Sequence, residues 1–150
     1  MTSDQRPGTG PTSVPRFTGS AGDRPRAVVE DADPAGRRNA ERELRRAGYE
    51  VLGCCGPETL ARRRCPVEEG EACPAISDAD LVITTLRDAT GRLPRVLRRL
   101  RETHADVPTV VRAPAPVAHG LRHELVGCDV HPVRTPIRDV LEARGAPAGE

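Results

Sequence analysis

Between residues 26 and 145 the chain alternates between two hydrophobic periods. Short aliphatic and β-branched runs are separated by longer segments whose apolar positions recur every three or four residues. The first run, "RAVVED" (Arg26 to Asp31), ends in two acids and reads as a buried strand. In "DPAGRRNAERELRRAGY", Asp33 is placed to cap a helix that Pro34 opens and Gly48 stops, and Ala40, Leu44 and Ala47 share one face. "YEVLGCC" is the second strand, and "PETLARRR" (residues 57–64) is a short second helix. "DADLVITTL" (Asp78 to Leu86) is the clearest buried strand of the chain. "RLPRVLRRLRETH" is an amphipathic helix with Leu93, Val96, Leu97 and Leu100 on one side. "VPTVVRAP" is strand four, and "PVAHGLRHELVG" is helix four, weakened by Gly120. "CDVHPV" is strand five. "TPIRDVLEARG" is the last helix, capped by Thr135 ahead of Pro136, with Ile137, Val140 and Leu141 inward.

Five strands alternating with five helices predict an α/β fold, a doubly wound five-stranded parallel sheet covered on both faces. Ligands of such sheets gather beyond the carboxyl ends of the strands. Those ends carry Glu30 and Asp31, Cys54 and Cys55, Thr84 and Thr85, Arg112 and Ala113, and Val133 and Arg134. Residues 1–25 are rich in Gly, Pro, Ser and Thr and are expected to form a disordered tail; residues 146–150 are expected to fray.

Composition narrows the function classes. With 150 residues the chain fits one domain plus a tail, and its formal net charge of +1 gives it no pull toward nucleic acid or a membrane. It contains no lysine, which removes any lysine-dependent mechanism. Its aromatic residues are Phe17 and Tyr49, so the core must be built from Val, Leu, Ile and Ala and a modest stability is expected. No apolar run reaches the roughly 20 residues of a membrane span, and the N-terminus lacks the apolar core of a signal peptide. The expectation is a cytoplasmic protein with reduced thiols.

The cysteines are the densest candidate chemistry. Cys54, Cys55, Cys65 and Cys73 fall within "LGCCGPETLARRRCPVEEGEACP", and Cys128 lies far downstream. Cys54 and Cys55 are adjacent on a strand and so face opposite ways. Cys65 and Cys73 bracket a turn-prone acidic stretch and each precedes a proline. Three readings stand: a Zn²⁺ or Fe–S site, a redox pair activated by Arg62 to Arg64, and plain packing by soft buried side chains. Cys128 is read as core. His119 and His123, four apart on helix four, lack the glutamate of a zinc-protease motif and are read as a solvated face. The chain carries no catalytic Ser-His-Asp set, phosphate loop or dinucleotide fingerprint, and no general base stands by the thiols; an enzyme is not expected.

The order of elements resembles the flavodoxin-like receiver domain of bacterial two-component response regulators, from about Arg26 to Gly145. "VVEDADPAGRRNAERELRRAGYEV", "DLVITTL", "VPTVVRAP" and "GCDVHPVRTPI" carry the likeness. The resemblance implies a phosphorelay chemistry. Two acids on strand one hold Mg²⁺, an Asp ending strand three accepts phosphate, a Thr or Ser on strand four bonds the phosphoryl group, and a Lys after strand five pairs with it. Here the acids are Glu30 and Asp31, which make a candidate residual cation site. The phosphoacceptor position falls on Thr85, the hydroxyl position on Ala113, and the lysine position on Arg134 or Thr135. Asp88 is a candidate displaced acceptor, outweighed by its reading as a loop acid or helix cap. Against the family's pattern the chain also has a cysteine-containing insertion at about residues 65–78. The leading expectation is therefore a degenerate, non-catalytic, unphosphorylated receiver-like signalling or interaction module without a cofactor. It would act by docking a protein partner or a second copy through the helix 4–strand 5–helix 5 face, about Val117 to Ala143, which carries Arg122, His123, Arg138 and Arg144. The alternative is a redox- or metal-responsive regulator using Cys54, Cys55, Cys65 and Cys73.

Overall fold

The computed structural model describes residues 16–17, 22–56, 65–87, 93–125 and 128–145. The expected helix at 57–64, Asp88, Arg62 to Arg64, most of the N-terminal tail and residues 146–150 lie outside the described residues. The elements run β1 (Arg26–Glu30), α1 (Pro34–Arg46), β2 (Glu50–Cys54), α2 (Pro74–Ser77), β3 (Leu81–Thr85), α3 (Leu93–Thr103), β4 (Thr109–Ala113), α4 (Ala115–Glu124), β5 (Asp129–Pro132) and α5 (Ile137–Ala143). The strands form one sheet in the order β2-β1-β3-β4-β5. Every neighbouring pair is parallel. The chain passes from β1 outward to β2 and then back past β1 to β3. That reversal makes the carboxyl ends of β1 and β3 the switch point where doubly wound sheets build their sites.

Side chains alternate across the sheet and divide the core in two. On one face Ala27, Val29, Leu81, Ile83 and Val110 pack against Ala40 and Leu44 of α1 and Ile137, Val140 and Leu141 of α5. On the other face Val28, Val82, Val111 and Ala113 pack with Ile76, Val96, Leu97, Leu100, Ala118 and Leu121. Ala40, Leu44 and the three α5 residues thus occupy the inward faces that their spacing predicts. Asp33 caps α1 by accepting a hydrogen bond from the Gly36 amide at 3.1 Å, and Pro34 opens the helix. The expected cap at Thr135 does not form. Pro136 holds the N-cap position of α5 without a side-chain hydrogen bond. The Thr135 amide instead turns back to the Pro132 carbonyl at 2.9 Å.

The segment between Cys65 and α2 is folded onto the core. Val67 is 2 % exposed and inserts among the α3-side residues, with Cys65 and Cys73 packed beside it. Gly70 supplies the left-handed turn at φ 80° that reverses the acidic tip. The second Cys-Pro opens α2, with Cys73 at the N-cap and Pro74 in the first turn. His104, just past α3, fastens this entry: its Nε2 accepts the Cys73 amide at 2.9 Å. Phe17, in the stretch expected to be a disordered tail, packs against the same core and lies 5.1 Å below the Arg26 guanidinium.

Candidate functional site

Glu30 and Asp31 close the first strand at the switch point, and the pleat sends them to opposite faces. Asp31 turns toward α1 and is fully buried. Its two carboxylate oxygens receive the fork of Arg87, Nε to Oδ1 and Nη2 to Oδ2, each at 2.8 Å. Oδ1 also accepts the Asp33 amide at 2.9 Å. Arg87 lies 3.4 Å from the Asp33 carboxylate as well. Its hydrogen bonding to the Asp31 carboxylate raises the Arg87 pKa above its ordinary value, so the guanidinium is firmly charged. Gly36 makes room for this arrangement. A Cβ there would collide with the Arg87 guanidinium and the Asp31 carboxylate.

Glu30 turns to the α3 side. It accepts a hydrogen bond from the Thr84 hydroxyl, and Gly56 approaches it so closely that a Cβ would strike the carboxylate. The two acids therefore do not converge. An octahedral Mg²⁺ needs several oxygens around one point. Here one carboxylate is taken by a bidentate guanidinium and the other faces away across the sheet, so the pair does not fit that ion. Among the described residues no group of three or more His, Cys, Asp or Glu side chains is arranged to hold a metal ion.

The adjacent threonines of "VITTL" divide in the same manner. Thr84 serves Glu30, whereas Thr85, 1 % exposed, faces the α1–α5 side and accepts a hydrogen bond from Arg112 Nη2 at 3.2 Å. Thr85 and Arg112 are register partners across β3 and β4. Ala113, expected to stand beside the phosphoacceptor position, lies on the opposite face among Val111 and Ala118. The reason is the strand period of two: a shift of one residue along β4 changes faces. Arg112 is the β4 residue that meets Thr85. Burial lowers its pKa, an effect opposed by the nearby Asp31 and Glu43 carboxylates. Arginine stays charged through such a shift. Arg134, expected after β5, does join this region: it lines one cleft with Arg87, Arg112 and Thr135.

Three of the cysteines come together. Cys54, Cys65 and Cys73 line an apolar pocket of about 80 Å³ on the α3 side, between β2 and the Val67 segment. All five cysteines are free thiols. Burial pushes the Cys54 thiol up to about 11, against a weaker opposing effect of a hydrogen bond from the Gly56 amide. Burial also raises Cys65, although amides of Val67 and Glu68 donate to it, and raises Cys128, which is packed against the core just before β5. These thiols are protonated at neutral pH, the opposite of an activated nucleophile. His119 and His123 are exposed on α4 with their rings edge to face at 5.7 Å.

Arg87, Arg112 and His104 received no role from the sequence. The signal for Arg87 was its parity: it lies two residues beyond Thr85 and so returns to the face that Asp31 occupies. The same parity assigns Arg112 to Thr85. Nothing local marks His104, whose partner amide is 31 residues away.

No family model and no curated protein matches the sequence. Solved structures do. A response regulator receiver domain protein from Clostridium thermocellum aligns over 81 % of this chain and 93 % of its own, at 17 % identity and a TM-score of 0.61. The non-phosphorylated HemR receiver domain from Leptospira biflexa aligns over 81 % and 92 %, at 16 % identity and a TM-score of 0.55. An adenylate cyclase from Rhodopirellula baltica aligns over 82 % and 86 %, at 15 % identity and a TM-score of 0.57. Among the described residues no helix is long and apolar enough to cross a membrane. At these identities the likeness carries architecture alone: the chain has the five-stranded, doubly wound parallel fold that response regulator receiver domains share.

Proposed function

We propose that this chain is a receiver-fold signalling module that is not an enzyme, is not switched by aspartyl phosphorylation and acts by docking. One observation carries the reading: Asp31, the acid turned toward the phosphoacceptor position, is held by both oxygens to Arg87. A guanidinium stands where a phosphorelay would need a divalent cation, and Thr85 offers a hydroxyl in place of a nucleophilic carboxylate. Docking through the α4–β5–α5 face accords with its exposed Arg122, His123 and Arg138; Arg144 there pairs with Asp129 at 3.6 Å. A small-molecule phosphodonor with Mg²⁺, followed by intact mass and peptide mapping, tests the proposal. The expected result is an unmodified chain, Asp88 included. A stable acyl-phosphate on any aspartate overturns it.

The redox or metal alternative has in its favour that Cys54, Cys65 and Cys73 share one pocket. Against it weigh the apolar walls and the raised thiol pKa values, which disfavour thiolates. Zinc or iron bound after anaerobic purification, or a Cys65-containing disulfide on mild oxidation, would restore it.

A further inference from the structure

The α1–α5 side of the site opens into a cleft of about 420 Å³ between α1 and the turn that joins β5 to α5. Arg42, Arg46, Arg87, Arg112 and Arg134 line it, with Glu43 as the one carboxylate in its wall. The Arg87 charge is answered by Asp31. Among the described residues, Arg42, Arg46 and Arg134 form no ion pair. Arg112 is the informative member. It is 7 % exposed, and its one side-chain hydrogen bond goes to the neutral Thr85 hydroxyl at 3.2 Å. Its buried Nε has no partner at all. A buried guanidinium so weakly satisfied is costly in a finished core, and a counter-charge within the cleft would relieve it. The size falls in the range of small-molecule sites, roughly 300–1,000 Å³.

We propose that this cleft binds a small phosphate-bearing anion without covalent transfer, with Arg112 as the buried anchor and Arg134 and Arg42 closing on the ligand from the mouth. Several arginine forks around one volume match the tetrahedral oxygens of a phosphate better than a single carboxylate. The site is separate from the question of phosphorylation and stands even if that reading fails. It also differs from a general basic patch, because the anchor is inside the fold and its buried Nε has no hydrogen-bond partner.

The test is titration of the full chain with pyrophosphate, inorganic phosphate and a sugar phosphate in low salt. Calorimetry and the shift in melting temperature are read against sodium chloride at matched ionic strength. Saturable binding with at least one of the three ligands is expected. Arg134→Ser and Arg112→Leu should each weaken it about tenfold, the loss of one charge-assisted contact. Arg138→Ser, on the outer side of α5, should leave it unchanged. Arg134 is exposed, so its variant keeps the fold whatever happens at Arg112. Tighter binding of the ester than of the free ion identifies an organophosphate as the ligand class, and equal binding identifies the inorganic anion. A response that chloride reproduces, or an equal loss in the Arg134 and Arg138 variants, overturns the proposal.

Discussion

Arg87→Ala isolates the central contact of the site. The substitution removes two bonds of 2.8 Å from Asp31, which has no exposed surface and whose carboxylate then keeps only the Asp33 amide at 2.9 Å. Deleting one partner of a buried ion pair costs about 3–5 kcal/mol, because the other charge is stranded. The Arg87 side chain is 43 % exposed, so water can enter where it stood and screen the carboxylate. That discount brings the expected loss to about 2–3 kcal/mol, or about 10 °C in melting temperature for a domain of this size. Arg87→Lys keeps the charge but loses the planar fork, and should cost about half as much. The double variant Asp31→Asn with Arg87→Met removes both charges. It should be more stable than the sum of the single losses by at least about 1 kcal/mol in a double-mutant cycle. Urea denaturation of the parent, Arg87→Ala, Arg87→Lys, the single variants Asp31→Asn and Arg87→Met, and the double variant reads all of this. If Arg87→Ala stays within about 0.5 kcal/mol of the parent, or if the single losses add, Asp31 does not depend on Arg87 and the guanidinium does not close the acidic site.

Two pH predictions accompany it. The Cys54 pKa rises from its ordinary value of 9.0 to about 11 on folding, so the unfolded chain releases that proton first, and stability should fall as pH rises through the 9-to-11 window. Cys54→Ser should flatten the fall, and a thiol reagent at pH 7 should modify Cys54 well below the rate of an exposed thiol; labelling at the rate of an exposed thiol refutes the assignment. Burial lowers the His104 pKa from 6.5, and its Nε2 must stay unprotonated to accept the Cys73 amide. Here the unfolded chain binds the proton more readily, so stability is intact above about pH 6.5 and is lost as pH falls through the folded-state value. Hydrogen exchange should show the Cys73 amide losing protection in that window first; uniform loss across α3 would refute a local fastening.

The architecture was legible because each strand and helix announces its own period. "VITTL" and "TVVRA" are short β-branched runs, while Val96, Leu97 and Leu100 recur at helical steps, and the structure buries all of these residues except the half-buried Thr109. Caps were less legible: Asp33 and Pro34 act as read, whereas the Thr135 amide is drawn into the turn after β5 and Pro136 takes the N-cap. The site was legible in the placement of Glu30 and Asp31 at the end of the first strand, but not in its pairing. Whether Ala113 or Arg112 faces Thr85 turns on one residue of register, and only hydrogen bonding between β3 and β4 fixes that. The placement of the cysteine segment was not legible for another reason. Its acidic tip, Glu69 to Glu71, is exposed, but the apolar content is concentrated in Val67 and the α2 pair Ala75 and Ile76, which turn the segment inward.

The absence of lysine then has a structural consequence. A lysine beside a carboxylate is a compact charge that can follow a newly arrived phosphoryl group. Arginine is planar, always charged and satisfied only when its fork is filled. At the switch point two arginines meet two fates. Arg87 finds the buried Asp31 and becomes fixed structure. Arg112, on the next strand, finds only a hydroxyl. The acid that could have answered it is already occupied, and Glu43 acts on it at a distance without bonding it. Closing the acidic pocket with one guanidinium thus leaves another unanswered a strand away. Arg112 lines the open cleft, where the proposed phosphate-bearing anion would meet its charge.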